Sequence, residues 1–279
     1  MRRDGDGIVV TRHPGRTWPA AAVLPWPAGS GGVRPPAPED AVTATDHVVD
    51  GGPDAGRLLR LRPVLAGAGL GLGVASVVEL RREPAGPSEA AAAASMPSRR
   101  RLEFLAGRRA ARRALRTVGL NCGEIPRSGR LPVFPPGRAA SISHSAGIAV
   151  AVARAPGRDT PLGCDLELRP LPRHAARLVL REDEEALLAT GSAGAGTAWS
   201  VTELFSAKEA AWKALYVPAD EPAALAPRTL RDLRASPAGD GLLRIGLRAD
   251  PSRAVEVLVT AVVSGVFSCV LGPADARTR

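Results

Sequence analysis

The sequence is poor in aromatic residues and cysteines, and each shortage excludes something. Aromatic residues make up 3% of the 279 residues, so the core must consist mostly of Ala, Val and Leu. Three widely spaced cysteines form neither a disulfide framework nor a zinc site, and we expect a reduced, cytoplasmic compartment. Arg2 and Arg3 are followed by no apolar signal core. The longest uncharged apolar run, 64–78, is rich in glycine and short for a membrane span, so we interpret it as a loop entering a strand.

Lysine is almost absent although the chain is basic. Of 37 basic residues only Lys208 and Lys213 are lysines, which leaves 35 arginines. Both lysines fall within six residues, and we interpret this stretch as one that needs a compact ammonium rather than a planar guanidinium. The net charge is +9; residues 1–58 hold six Arg and seven acidic residues, so the remainder carries +10. This charge favours an anionic partner: a phosphorylated small molecule, an acidic protein or nucleic acid.

The chain divides into an N-terminal extension and two α/β halves. Hydrophobic residues make up 45% of the sequence, which excludes wholesale disorder. Residues 1–58 lack periodicity and are rich in Pro and Gly, and we predict them to be disordered. We predict strands over 73–80, 162–168, 242–247, 255–263 and 265–271, helices over 98–118 and 202–216, short helical pieces over 173–180 and 182–189, an irregular loop over 129–137, and a turn feeding a strand over 141–153. Ser200 or Thr202 is the expected cap of the second long helix. This order predicts an α/β fold of two comparable halves, over 59–158 and 159–279.

Two carboxylates lie two residues apart in an apolar strand. Alternation along a strand places Asp165 and Glu167 on the same face. Buried together, they repel each other and cost desolvation energy, which a hard cation such as Mg²⁺ would offset. The alternative is an edge strand with both acids in solvent.

A second group lies on the helix over 202–216. Phe205, Glu209 and Lys213 are four residues apart and share one helix face. The alternative is a surface Glu–Lys pair, which stabilises a helix by about 0.2–0.5 kcal/mol. We expect Phe205 and Trp212 to be packing residues.

Two further segments favour phosphate binding. His144 stands among serines ahead of a strand and could donate to a phosphate, whereas a catalytic Ser–His pair is disfavoured because no Gly-x-Ser-x-Gly elbow occurs. Eight arginines and one glutamate lie between Arg99 and Arg116. They form either a solvated basic face or a clamp for phosphate oxygens.

Together these segments resemble the 4′-phosphopantetheinyl transferases, in the broad-specificity group related to the enzymes of siderophore, surfactin and polyketide synthesis. The resemblance covers roughly residues 60–271, and five segments carry it in the family's order: RRRLEFLAGRRAARRAL (99–115), GRLPVFPPG (129–137), SISHSAG (141–147), LGCDLE (162–167) and FSAKEAAWKAL (205–215). It implies a pseudo-twofold fold of two similar α/β halves with coenzyme A and Mg²⁺ between them. It also implies a monomer, with no nucleic acid or membrane as partner.

The resemblance also implies roles for particular residues. Asp165, Glu167 and Glu209 would hold the metal, and Asp165 would also lie at the coenzyme. Glu209, or a metal-bound water that it orients, would take the serine proton of an acyl or peptidyl carrier protein, and Lys213 would lie against the diphosphate. The remaining coenzyme A contacts would come from Arg100, Arg108, Ser143, His144 and either Arg127 or Arg130.

Two other functions suit parts of this pattern. A nucleic-acid-binding module could use the arginine-rich helix, but it would not need the two acidic motifs. A metal-dependent nuclease could use Asp165 and Glu167, although such enzymes usually place a lysine soon after the second acid, where this chain has Arg169.

Overall fold

The structure, a computed structural model, describes residues 52–80, 83–157, 159–188, 198–216 and 227–274. Its helices are α1 (Gly52–Leu59), α2 (Arg62–Gly67), α3 (Pro87–Ala94), α4 (Ser98–Thr117), α5 (Ala176–Val179) and α6 (Val201–Leu215). Its strands are β1 (Leu70–Ser76), β2 (Arg127–Ser128), β3 (Leu131–Pro132), β4 (Ala140–Ser145), β5 (Ile148–Arg154), β6 (Cys164–Glu167), β7 (Leu233–Gly239), β8 (Leu242–Leu247), β9 (Ala254–Ala261) and β10 (Val266–Pro273). Short 3-10 helices span Arg173–Ala175, Glu182–Leu188 and Leu230–Asp232. In these ranges no helix is long and apolar enough to cross a membrane.

The same arrangement of strands and helix occurs twice along the chain. The first sheet has the order β1-β5-β4, and the second has the order β6-β10-β9-β8-β7. β1 pairs antiparallel with β5, as β6 does with β10, and each half packs one long helix, α4 or α6, on its sheet. The predicted mixed α/β fold of two similar halves is therefore confirmed. The boundaries at 59–158 and 159–279 stay a prediction.

Three apolar clusters form the core, and they lie in layers. One cluster packs α4 on the first sheet, and another packs α6 on the second sheet. The third lies between the two sheets, where Val150 and Leu72 meet Leu166 and Phe267 from the other half. The two sheets are therefore packed face to face with a long helix outside each of them.

Glycine facing alanine lets each long helix approach its first strand closely. A Cβ atom on Gly73 of β1 would lie 2.1 Å from the carbonyl oxygen of Ala110 on α4. A Cβ atom on Gly163, just before β6, would lie 1.9 Å from the carbonyl oxygen of Ala210 on α6. Neither distance is possible for real atoms, so both positions require glycine. This contact also explains how a core with so few aromatic residues can be well packed.

Several predicted elements differ from the structure. Residues 52–58 were predicted to belong to the extension, but they form most of α1, where Leu58 is buried; residues 1–51 lie outside the described range. Residues 62–67 form α2, and β1 begins at Leu70 rather than at residue 73, because glycine does not prevent a buried strand here. The serine-rich start of 141–153 is the strand β4, not a turn. No strand is predicted from the sequence for β7, which is exposed over most of its length.

Candidate active site

Asp165 is the centre of a buried polar cluster between β6 and α6. Its side chain is buried, and its Oδ1 accepts hydrogen bonds from Lys213 Nζ at 2.8 Å and Ser143 Oγ at 2.9 Å. Lys213 Nζ also donates to the carbonyl oxygen of Cys164 at 3.0 Å, which fixes the ammonium over the start of β6. The other carboxylate oxygen, Oδ2, is buried and has no hydrogen-bond partner among the described residues.

Glu167 and Glu209 face the same cluster, and the charges of the cluster shift the pKa values of its members. Burial, together with repulsion from Asp165 and Glu209, raises the pKa of Glu167 to about 7, against the attraction of Lys213. Burial also raises the pKa of Glu209, and the Asp165 charge adds to this effect. Burial alone would lower the pKa of Lys213, but Asp165 and Glu209 raise it above its ordinary value. The site therefore concentrates negative charge around one ammonium.

The carboxylates of Asp165, Glu167 and Glu209 are ligands that a hard divalent cation prefers, although their side chains are not arranged as a complete metal site. Across the described part of the chain, no group of three His, Cys, Asp or Glu side chains is placed to hold a metal ion. The unpartnered Oδ2 of Asp165 and the raised pKa of Glu167 are nevertheless what carboxylates show when a neutralising charge is missing. The metal-binding roles of Asp165, Glu167 and Glu209 stay a prediction.

His144 and Arg100 form a second cluster beside the first. Arg100 Nη1 lies 2.7 Å from His144 Nε2, and since a guanidinium can only donate, Nε2 is the acceptor and the imidazole is neutral. Burial lowers the pKa of His144, and the charges of Glu103, Arg100, Lys213 and Asp165 also act on it. The histidine thus lies between the basic helix α4 and the acidic cluster, which brings together residues that are distant in sequence.

Arg108 is buried, unlike Arg100, which is the other coenzyme contact predicted on α4. Its Nε donates to the carbonyl oxygen of Ile125 at 2.8 Å, and its guanidinium lies 4.6 Å from the ring centre of Phe104. Burial, together with the charges of Arg127, Arg112 and Arg100, lowers the pKa of Arg108 to about 10, although Glu89 opposes this shift. Arg100, Arg108 and Arg127 therefore share one region of positive potential. Their contacts to coenzyme A stay a prediction.

The alternatives at positions 127 and 130 remain open. Arg127 is exposed on β2, where its Nε donates to the carbonyl oxygen of Gly129 at 2.7 Å. Arg130 is exposed between β2 and β3. The charge of Arg127 lowers the pKa of Arg108, and this observation distinguishes Arg127 from Arg130.

At least half of the arginines on α4 form hydrogen bonds or ion pairs with other segments of the protein. Arg109 and Arg113 pair with Glu79 at 3.3 and 2.8 Å, and Arg112 pairs with Glu89. Together with Arg108, these side chains connect α4 to β1, α3 and the loop before β2. The helix is therefore neither a wholly solvated basic face nor wholly a phosphate clamp, and its arginines do not form one free basic surface.

A row of serines that is not predicted from the sequence joins the two halves. Ser141, Ser143 and Ser145 alternate along β4, and their hydroxyls accept hydrogen bonds from the amides of residues 164, 166 and 168 at 3.0, 3.3 and 3.1 Å. We call this row the serine seam. Ser143 Oγ also donates to Asp165, so the seam helps to place that carboxylate. The signal was a serine at every second position, which is the period of a strand.

A groove lies at the end of the strands that carry the site. Its volume is about 450 Å³, and it is lined in part by Val77, Gly147, Ile148, Leu168 and Arg169. Leu168 and Arg169 directly follow Glu167, and Gly147 belongs to the turn that follows His144. The groove is therefore continuous along the chain with both clusters, and its walls are largely apolar.

Comparison with protein-family models relates part of the chain to a known family. The family model described as the 4′-phosphopantetheinyl transferase N-terminal domain matches residues 88–154. The matched segment includes α4, β4 and β5, with Arg100, Arg108, Ser143 and His144, and it ends before β6. No curated protein matches the chain.

Proposed function

The chain belongs to the 4′-phosphopantetheinyl transferase superfamily, and from this premise we propose that it transfers phosphopantetheine from coenzyme A to a serine of an acyl or peptidyl carrier protein. The observation that carries the proposal is the cluster of Asp165, Glu167, Glu209 and Lys213 next to Arg100 and His144. It combines carboxylates for a cation with basic groups for phosphates, as transfer from a diphosphate requires. Adenosine 3′,5′-bisphosphate would be the second product.

Glu209 is the proposed general base. Burial raises its pKa, which makes this carboxylate a stronger base than a solvent-exposed glutamate. The serine oxygen would attack the β-phosphorus, the bond from that phosphorus to the bridging oxygen would break, and the serine proton would pass to Glu209. Lys213, whose charge is secured by its raised pKa, would neutralise the charge that develops on the leaving oxygen.

Asp165, Glu167 and Glu209 are the proposed ligands of Mg²⁺. When bound, the cation would supply positive charge against the diphosphate. Oδ2 of Asp165 is the one described atom of this set that is buried without any partner, and this supports the assignment. The carboxylates would need to be ionised to bind the cation, so binding should strengthen as the pH rises through about 7.

The phosphates and the arm of coenzyme A have separate proposed sites. Arg100, Arg108 and Arg127 share a positive region that suits the nucleotide phosphates, and neutral His144 would act there as a hydrogen-bond partner. The groove that follows Glu167 suits the uncharged pantetheine arm, because its walls are largely apolar.

An acidic carrier protein suits the surface that follows Glu167. Arg169, Arg173 and Arg177 are exposed and form no ion pair with residues that the structure describes. Leu178 beside them is 68% exposed and offers an apolar contact to a docked partner. A patch of arginines around an apolar side chain is complementary to an acidic helical partner.

Intact-mass measurement of the carrier tests the proposed function. The protein is mixed with coenzyme A, Mg²⁺ and an apo carrier protein, and the carrier should gain the mass of one phosphopantetheine group. EDTA should abolish the gain. Glu209→Gln should abolish it without unfolding the protein, whereas the same change at the exposed Glu185 should leave it intact.

The outcomes of this experiment differ in meaning. No gain on several carriers, together with no binding of coenzyme A, would contradict the proposed function. Normal turnover by Glu209→Gln would contradict the role of Glu209 alone. The carrier surface is tested separately: Arg173→Glu with Arg177→Glu should raise the KM for the carrier, whereas Arg57→Glu with Arg60→Glu, also exposed, should not.

A further inference from the structure

The second lysine of α6, Lys208, lies wholly inside the protein. Its side chain and that of Glu184 are both 0% exposed, and Lys208 Nζ lies 2.8 Å from Glu184 Oε1. The ammonium also donates to the carbonyl oxygens of Val179 at 2.8 Å and Leu233 at 3.0 Å. An ammonium has three N–H donors, and these three partners use all of them. This explains why lysine stands here in a chain that otherwise uses arginine.

Glu184 is equally well satisfied. Its carboxylate accepts hydrogen bonds from Ala235 N at 2.8 Å, Arg248 Nη2 at 2.7 Å and Arg181 N at 3.2 Å, besides the one from Lys208. We call the pair of Lys208 and Glu184 the buried clamp. It joins α6 to three other segments: the end of α5, the 3-10 helix over 182–188 and the start of β7.

The buried clamp lies next to the candidate active site in the chain. Lys208 directly precedes Glu209, and Lys213 follows on the same helix. Asp165 and Glu167 are held on β6, and Glu209 and Lys213 are held on α6. The clamp joins α6 to the end of α5 and to the 3-10 helix over 182–188, which lie between β6 and α6 in the chain.

The cost of burying two charges indicates what the clamp is for. A buried ion pair contributes little net stability compared with apolar side chains of similar volume, whereas it can hold one specific geometry. Apolar residues would pack α6 against its neighbours but would let the helix turn about its axis. Three directed hydrogen bonds from one ammonium do not allow this. A turn of α6 would move Glu209 and Lys213 together, relative to the carboxylates on β6.

We propose that Lys208 is a positioning residue, which through Glu184 holds α6 at the rotation that turns Glu209 and Lys213 towards Asp165. This inference rests on the proposed function, since it takes Glu209 to be the base. Lys208 contacts no reacting atom; its effect on the reaction is exerted through the orientation of α6.

The experiment separates positioning from stability. Glu184→Gln leaves the buried Lys208 ammonium without a carboxylate, and Lys208→Met leaves Glu184 with Arg248 as its remaining cationic partner, so both variants should lower the melting temperature and Glu184→Gln should lower it more. The double variant contains neither charge, Arg248 keeps its pair with Asp183, and the amide oxygen of the glutamine introduced by Glu184→Gln can still accept the bond from Ala235, so its melting temperature should rise above that of Glu184→Gln. The carbonyl oxygens of Val179 and Leu233 lose their donor, so the melting temperature should stay somewhat below that of the wild type. Its kcat should remain about 10- to 100-fold below that of the wild type. Its KM for coenzyme A should change far less, because the arginines proposed to bind the nucleotide phosphates lie on α4 and β2 and not on α6.

Ser200→Ala is the matched control. Ser200 caps α6 in a reciprocal capping box with Glu203, so its loss destabilises the same helix without touching the clamp. We expect a lower melting temperature with unchanged kcat at a temperature where the variant is folded. The pH profile of kcat gives a second readout, since a displaced Glu209 would titrate at a different pH in the double variant.

Two results would overturn the inference. A double variant that recovers both melting temperature and kcat would show that the clamp is purely structural. If Lys208→Met does not fold, Glu184→Gln alone decides the matter, and wild-type kcat in that variant would refute the positioning role. The wild-type protein is assayed in parallel: if it transfers nothing from coenzyme A, the proposed function itself has failed.

Discussion

Replacement of Glu167 by glutamine should stabilise the protein, and the gain should grow with pH. Burial and the charges of Asp165 and Glu209 raise the pKa of this carboxyl from 4.5 to about 7, although Lys213 opposes them. A group whose pKa is higher in the folded state contributes stability that is fully present below pH 4.5. That stability is lost as the pH rises through about 7. Glutamine imitates the protonated carboxyl and avoids the loss.

The size of the effect follows from the two pKa values. The difference between 4.5 and about 7 amounts to about 3 kcal/mol when Glu167 is fully ionised in both states. Of this, about 2 kcal/mol develops between pH 5.5 and pH 8.5. Glu167 is partly exposed, so solvent screening makes these upper values. For a domain of this size, about 2 kcal/mol corresponds to about 4–8 °C, so the advantage of Glu167→Gln over the wild type in melting temperature should be larger by this amount at pH 8.5 than at pH 5.5.

Urea unfolding at pH 5.5, 7.0 and 8.5 measures how the difference in unfolding free energy between Glu167→Gln and the wild type changes with pH. Both proteins are kept in EDTA, and Glu185→Gln serves as the exposed control, for which the difference from wild type should stay constant. Addition of Mg²⁺ at pH 8.5 should stabilise the wild type more than Glu167→Gln, because ligand binding to the folded state adds stability. A difference for Glu167→Gln that does not change with pH would refute our account of the charges in this site.

Three further variants test particular contacts. Gly163→Ala would place a methyl group 1.9 Å from the carbonyl oxygen of Ala210 and should destabilise the fold by about 1–3 kcal/mol or more in thermal unfolding; an unchanged melting temperature would contradict the close approach. Ser143→Ala removes the hydroxyl acceptor of the Leu166 amide and should cost about 1–2 kcal/mol in urea unfolding, whereas a neutral result would refute the serine seam. Lys213→Arg should lower kcat, since a planar fork needs more room than an ammonium, and normal transfer would contradict this.

Local patterns predicted the elements that carry the site. Helical spacing gave α4 and α6 to within about one residue, and Ser200 proved to be the cap because its hydroxyl accepts from Glu203 N. Alternation gave β6 and placed Asp165 and Glu167 on one face. These features depend on neighbours in the sequence, and local propensity therefore determines them.

Contacts between distant residues could not be predicted in the same way. A run of arginines does not show that Arg113 pairs with Glu79, and a lysine one residue before Glu209 does not show that it meets Glu184. Both pairs depend on how the sheets pack against each other. The serines of β4 were interpreted as a turn because hydroxyl residues favour turns when no partner strand is known.

In the serine seam, the alignment of the two halves is determined by side chains and not by pairing between two backbones. Within a sheet, backbone groups can pair again after a slip by one residue, because each residue offers the same amide and carbonyl. Between β4 and β6 the acceptors are hydroxyls that occur at every second position. An insertion of one residue within β4 would present Ile142 and His144 to β6 instead. Insertions and deletions should therefore be tolerated in the loops of either half far better than in this short strand.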